Sequence, residues 1–274
     1  MRHMLIVGWL VMVLLAGCGQ QAAPQVPATA PQAELVVFAA ASLTNAFTEM
    51  GQDFEARNPD ATVVFNFAGS QQLAQQLGQG APADVFASAN ARQMEVAIEA
   101  GRVVSNTQQI FVNNRLVVVV PADNPGEIAT LQDLAQPGLK MVLAAEDVPV
   151  GEYSRAFLDK AAASGEFTAD YRDAVLANIV SYEENVRAVL TKVVLGEADA
   201  GIVYTSDVAP DEADQVQQID IPDTLNTIAA YPLAAVSDTA QPALTEAFLA
   251  YVLSPEGQAT LAEYGFIPVL QAGS

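Results

Sequence analysis

The chain has 274 residues, 51% of them hydrophobic, with 32 acidic against 11 basic side chains and a formal net charge of -21. So acidic a surface excludes nucleic acid as an ordinary partner, because phosphate backbones are bound by positive charge. The single histidine is His3 and the single cysteine Cys18. A chain processed at Cys18 therefore keeps no imidazole and no free thiol. That excludes Ser-His-Asp and Cys-His catalysis and His- or Cys-ligated zinc, copper or haem; carboxylate chemistry stays open.

In chain order, Arg2 and His3 form a short basic start and residues 4–15 an apolar run. The run is too short to span a bilayer comfortably and matches a signal-peptide core. Leu15-Ala16-Gly17-Cys18 follows and resembles the lipobox of bacterial lipoproteins. The resemblance implies cleavage before Cys18 and lipidation of its thiol; an ordinary secretory signal is the alternative. Residues 1–17 are expected to be the signal peptide. Residues 18–33 are expected to be a flexible tether, uncharged, without aromatics and kept extended by Pro24, Pro27 and Pro31. Removing 1–17 takes away only Arg2 and leaves 10 basic against 32 acidic residues, a net -22. About 240 residues remain, enough for one large domain or two lobes.

From residue 34 the pattern alternates. A short strand is expected over 34–38. Small residues 39–41 and Ser42 follow, then a helix with Leu43, Ala46, Phe47, Met50 and Phe54 at helical spacing, stopped at Asn58-Pro59. The next strand covers 62–67. A second helix opens at Ser70 with Leu73, Ala74 and Leu77 on one face. A third strand covers 84–87, and Asn90 caps a helix running to Gly101. Such alternation predicts mostly parallel sheets flanked by helices. Asn113-Asn114 reads as a turn before the continuous apolar strand 116–120. Beyond it, strands are expected over 139–145, 179–181, 200–204 and 228–236, and helices over 152–163, 171–177 and 185–195. Ser254-Pro255 marks a further helix start.

Two junctions share one design: a strand ends, small residues follow, and a serine opens a helix, at Ser42 and at Ser70. Helix N-termini expose unpaired N–H groups and partial positive charge. Two facing one crevice would bind an anion without Lys or Arg. Plain helix capping by serine is the competing explanation. Glu183 and Glu184 read as a solvated acid pair at a helix start, or as acid–base partners. Arg187 reads as a structural ion-pair partner or a ligand contact, and Asp207 as a cap.

Longer strings sharpen this. Phe38-Ala39-Ala40-Ala41-Ser42-Leu43-Thr44 is similar to the opening motif of periplasmic molybdate-binding proteins of ABC transporters. Phe67-Ala68-Gly69-Ser70 with Gly80-Ala81-Pro82-Ala83-Asp84-Val85-Phe86 resembles their second. Val148-Pro149-Val150-Gly151, Glu184-Asn185-Val186-Arg187 and Gly201-Ile202-Val203-Tyr204-Thr205-Ser206-Asp207 resemble the third, fourth and fifth. The resemblance covers residues 34–270 and implies an α/β, two-lobed type II periplasmic-binding-protein fold with ligand in the interlobe cleft. Lobe I would comprise 34–112 and 232–274, and lobe II 113–231, with crossings near Asn113 and Tyr231-Pro232. The resemblance implies an oxyanion site with hydroxyl donors at Ser42 and Ser70, backbone N–H donors at Val150 and Val186, and a phenol donor at Tyr204. Val150 and Gln71 depart from the smaller residues many relatives carry there.

The ligand so implied is molybdate, or its near-isostere tungstate, contacted through its oxygens, with no cofactor and no direct metal ligand. The partner implied is an ABC transporter permease. The protein is expected as a monomer on the extracytoplasmic face of a bacterial membrane, touching that membrane only through its lipid. Sulfate binding, anion sensing for a membrane receptor, and a carboxylate-based enzyme are the alternatives.

Overall fold

A computed structural model describes residues 32–208 and 213–269. The expected signal peptide, Cys18 and nearly all of the tether lie outside the described residues.

The chain builds β1 (Ala33–Ala40), a 3-10 turn (Ala41–Leu43), α1 (Thr44–Arg57), β2 (Ala61–Ala68), α2 (Ser70–Gly78), β3 (Val85–Ala87), α3 (Ala91–Glu99) and β4 (Gln109–Asn114). It continues with β5 (Leu116–Pro121), β6 (Met141–Ala144), α4 (Pro149–Ser164), α5 (Tyr171–Ala177), β7 (Ile179–Glu183), α6 (Val186–Val194), β8 (Ala200–Tyr204), a 3-10 turn (Thr205–Asp207) and β9 (Val216–Asp220). It ends with β10 (Ala229–Ala235), α7 (Pro242–Leu253), α8 (Pro255–Glu263) and β11 (Ile267–Pro268). Two sheets result, in the orders β11-β4-β10-β3-β1-β2 and β7-β6-β8-β5-β9.

The first three βα units give parallel pairing of β1 with β2, from Ala33 opposite Ala61 to Ala40 opposite Ala68, and of β1 with β3. In the second sheet β6 pairs in parallel with β7 and β8. Neighbour by neighbour, however, the sheets are mixed and not mostly parallel. β10 is antiparallel to both β3 and β4, and β5 to both β8 and β9. The short β11 is antiparallel to β4 as well, and β5 and β10 are the first strands that the chain forms on arriving in each sheet from the other. Each is entered directly and not through a helical crossover, so nothing forces it parallel.

The first crossing falls beside the expected Asn113 and the second a few residues before the expected Tyr231-Pro232. Asn113 and Asn114 belong to β4, and the chain turns at Arg115, whose backbone N–H donates to Asn114 Oδ1 at 2.9 Å. Tyr231-Pro232 lies inside β10, not at a crossing. Pro232 has no N–H for the ladder, and the register shifts there by a bulge. The chain leaves the second sheet after Asp220 and re-enters the first at Ala229.

Both faces of the first sheet are covered. Phe47, Phe54, Phe111 and Phe248 pack edge-on or tilted on one side, as in the 5.4 Å contact of Phe54 with Phe248. Leu73, Leu77, Phe86 and Met94 fill the other. In the second sheet Val117 to Val120 are wholly buried, each side chain contributing at most about 1.5–3 kcal/mol relative to exposure.

Helix starts follow the caps. Asn90 accepts from Gln93 N–H at 3.0 Å, Asn185 from Ala188 N–H at 3.0 Å, and Ser254 from Gly257 N–H at 3.2 Å. α4 starts at Pro149, earlier than the expected 152, because Pro at the first helical position loses no hydrogen bond there. The earlier start moves Val150 from a loop into a first turn.

Candidate functional site

Ser42 lies in the 3-10 turn between β1 and α1, Ser70 is the first residue of α2, Val150 stands in the first turn of α4, Val186 opens α6, and Tyr204 ends β8. All five line one small cavity between the layers of the two sheets, about 10 Å³ in volume. The remaining lining is Ala40, Ala41, Gly69, Ala89, Val148, Pro149 and Asn185, so no charged side chain among the described residues borders it. That volume is below the usual range for organic ligands.

The capping explanation for the two serines does not hold. Gly69, not Ser70, occupies the N-cap of α2, and Ser42 makes no cap hydrogen bond. Ser70 Oγ instead accepts from Ala89 N–H at 3.0 Å, and Ser42 Oγ shares a 2.9 Å hydrogen bond with the Tyr231 hydroxyl. Both serines are buried. The Val150 and Val186 N–H groups belong to first helical turns, where an α-helix supplies no acceptor of its own.

Tyr204 is the most informative member. Its ring is 1% exposed and its hydroxyl has no hydrogen-bond partner among the described residues. Burial raises its pKa well above the ordinary phenol value, and the neighbouring Tyr231, Tyr153 and Asp207 raise it further. The phenols of Tyr204 and Tyr231 are close, with centroids 5.8 Å apart, and the Tyr231 hydroxyl is near enough to raise the Tyr204 pKa, yet the pair does not reach full hydrogen-bonding geometry. Tyr204 thus keeps its proton at the wall of the cavity. A buried unpaired hydroxyl is costly, about 1–3 kcal/mol.

Backbone packing holds the amide side in place. A Cβ on Gly151 would fall 1.9 Å from the carbonyl oxygen of Ala145 and 2.6 Å from that of Ala144. Only glycine lets the first turn of α4 approach the end of β6 so closely. A Cβ on Gly69 would fall 2.5 Å from the carbonyl oxygen of Glu184.

Hydrogen bonds tie the two sides of the cavity together. Gln71 Nε2 donates to the Glu184 carbonyl at 2.8 Å, and Gln72 Nε2 to the Glu184 carboxylate at 3.0 Å. Asn90 Nδ2 donates to Glu152 at 3.0 Å. The larger residue at position 71 is therefore a bridge across the cleft. Arg187 does not line the cavity; it donates to the Asp207 carbonyl at 3.0 Å and to Asn45 Oδ1. Asp207 Oδ2 accepts from Tyr204 N–H at 2.9 Å, closing the turn after β8.

Neither glutamate fits an acid–base role at the cavity. Glu183 ends β7, outside any helix start, and binds Lys192 and Ser181 at 2.6 Å each. Burial alone would raise its pKa, but these partners outweigh burial and hold it below the usual carboxylate range. Glu184 is taken up by the bridges just described.

The local pattern does not reveal Tyr231 or Asn114, whose side chain donates to the Tyr231 hydroxyl at 3.3 Å and to Ser206 Oγ at 2.8 Å. Tyr231 is 189 residues from Ser42 and sits in an apolar strand, where a tyrosine reads as core.

Residues 35–267 match the family described as bacterial extracellular solute-binding protein. The molybdate-binding protein ModA of Mycobacterium tuberculosis is 40% identical over 263 residues, 95% of each chain. Among solved structures, the periplasmic molybdate-binding protein of Azotobacter vinelandii superposes with a TM-score of 0.74 at 20% identity, covering 86% of this chain and 100% of that one. The sulfate-binding protein SubI of M. tuberculosis superposes at 0.76 with 21% identity over 88% of each chain. At such identities the two structures establish the two-lobed fold alone.

Proposed function

The chain belongs to the bacterial extracellular solute-binding protein family, and from that premise we propose that its cavity captures molybdate, or near-isosteric tungstate, for delivery to an ABC transporter permease. The observation that carries the reading is the buried, unpartnered Tyr204 hydroxyl bordering a cavity of hydroxyls and helix N-termini. A dianion would complete Tyr204 and accept from Ser42, Ser70 and the N–H groups of Val150 and Val186. Charge-assisted bonds of this kind are about twice as strong as neutral ones, and helix N-termini favour negative charge. Local dipoles must do this work, because the acidic surface repels anions at long range. Among the described residues no group of His, Cys, Asp or Glu side chains is placed to hold a metal ion, so contact would run through the oxygens. The 40% identity to a protein named for molybdate binding supports the ligand.

Calorimetry of residues 19–274 against four anions tests the reading. Molybdate and tungstate should bind tightly. Sulfate, with the same charge and shorter bonds, should bind more weakly. Phosphate, which keeps a proton near neutral pH and needs an acceptor, should not bind. Molybdate at about 100 times its Kd should add about 2.7 kcal/mol of stability and raise the melting temperature. A phosphate-induced shift equal to that of molybdate refutes the ligand assignment.

In this proposal the two sheets anchor two lobes that close on the anion, and the bridges from Gln71, Gln72 and Asn90 belong to the closed form. The protein works as a monomer, tethered through lipidated Cys18. Cys18→Ser should leave binding intact and release the protein from the membrane or leave it uncleaved; unchanged processing and membrane association in detergent partitioning would discard the anchor.

A further inference from the structure

We propose that Tyr231 is a positioning residue that donates to Ser42, so that the Ser42 proton is left for the cavity; the inference rests on the oxyanion reading above. Taken alone, the 2.9 Å contact between Ser42 Oγ and the Tyr231 hydroxyl can run in either direction. Asn114 decides it. Its Oδ1 accepts from the backbone N–H of Arg115 at 2.9 Å, a group that can only donate. The amide is thereby oriented, and its NH2 end faces Ser206 Oγ at 2.8 Å and the Tyr231 oxygen at 3.3 Å. An amide N–H cannot accept. The Tyr231 oxygen therefore receives from Asn114, at the longest link of the chain, and its own proton, buried and in need of an acceptor, goes to Ser42 Oγ at 2.9 Å. With that acceptor position filled, the Ser42 proton turns to the cavity.

Two features keep the arrangement fixed. Tyr231 is fully buried, so water does not stand in for either partner. Burial, and next the charge of Asp207, raise its pKa well above the ordinary phenol value, so the proton it gives to Ser42 stays in place. Ser70 reaches the same polarity by another route, because its oxygen accepts from Ala89 N–H. Both serines thus have their protons free for a ligand. Removing the Tyr231 hydroxyl takes that donor away and leaves the Ser42 proton free to turn away from the ligand.

The test is a double-mutant cycle read by molybdate calorimetry on wild type, Ser42→Ala, Tyr231→Phe and the double variant. Phenylalanine keeps the ring and its edge contacts with Phe266 and Tyr204, at 5.7 and 5.8 Å, and Asn114 retains Ser206 as an acceptor. Tyr231→Phe should weaken molybdate binding about three- to tenfold, the share of one hydrogen bond. In the Ser42→Ala background the same change should cost less than about twofold, because there is no hydroxyl left to orient. An unchanged Kd in Tyr231→Phe overturns the proposal. So does an equal loss in both backgrounds, which would mean that Tyr231 acts through packing. Failure of the underlying reading looks different: Ser42→Ala would itself bind molybdate like wild type.

Discussion

The two sides of the cavity present the same chemistry by different means. The first-sheet side offers side-chain hydroxyls, Ser42 and Ser70, each buried and each already accepting or sharing a hydrogen bond within the protein. The second-sheet side brings the first turns of α4 and α6 to the cavity, and in the proposed reading the main-chain amides of Val150 and Val186 are its donors. Tyr204, at the end of β8, adds one hydroxyl to the amide side. A hydroxyl donor is written in the sequence and can be deleted by changing one residue. An amide donor survives most changes at its own position and depends on neighbours that hold the helix end in place. The two sides should therefore fail under different mutations.

The largest effect should come from Gly151→Ala, which leaves every proposed donor in place. Its Cβ has no room against the carbonyls of Ala145 and Ala144, so the first turn of α4 must move away from β6. The expected cost is about 3 kcal/mol of stability, at the upper end for overpacking, read by chemical denaturation. Molybdate affinity should fall more than about a hundredfold in whatever remains folded. A variant of wild-type stability and affinity would show that the amide side does not depend on this close approach.

Deleting the hydroxyls should come next. Ser42→Ala, Ser70→Ala and Tyr204→Phe each remove a charge-assisted bond worth about 1.5–3 kcal/mol, so molybdate should bind roughly ten- to a hundredfold more weakly. The ligand-free proteins should separate the three. Ser70→Ala strands the Ala89 N–H and should lose about 1 kcal/mol of stability. Tyr204→Phe removes a buried hydroxyl that has no partner and should gain about 1 kcal/mol. A Tyr204→Phe protein that is less stable without ligand, or that binds molybdate normally, contradicts the role given to this phenol.

The contrast also explains what the sequence made readable. Ser42 and Ser70 stand out as serines where apolar strands give way to helices, Tyr204 is marked only by the family resemblance, and Asn185 announces the start of α6. The start of α4 was harder, because the helical pattern is clear only from Glu152 and the first turn is entered through Pro149. Tyr231 and Asn114 carry no local mark, since their role exists only once strands far apart in sequence lie side by side. The elements derived from periodicity omit α7, although Pro242 at its first position and Phe248 and Val252 on one face were there to be read. They omit β9 for a better reason: it is an edge strand, largely exposed, in which polar residues outnumber the apolar ones. Mixed strand direction was likewise hidden, because alternation shows where helical crossovers occur and not where the chain passes directly between sheets.

The smallest effect is the sharpest check on the amide side. Val150 is 1% exposed and lines the cavity. Its proposed contribution is the backbone N–H, which Val150→Ala leaves untouched. Truncation removes buried apolar surface worth roughly 1–2 kcal/mol of stability and slightly enlarges the space beside the anion. Alanine also raises helix propensity, so the first turn should persist. Molybdate affinity should then change by less than about threefold, against the ten- to hundredfold losses at the serines. Two calorimetric titrations, Val150→Ala and Ser42→Ala under the same conditions, give the comparison directly. If Val150→Ala weakens binding as much as Ser42→Ala, the valine side chain itself shapes the pocket around the ligand, and the division between a side-chain half and a main-chain half fails at this position.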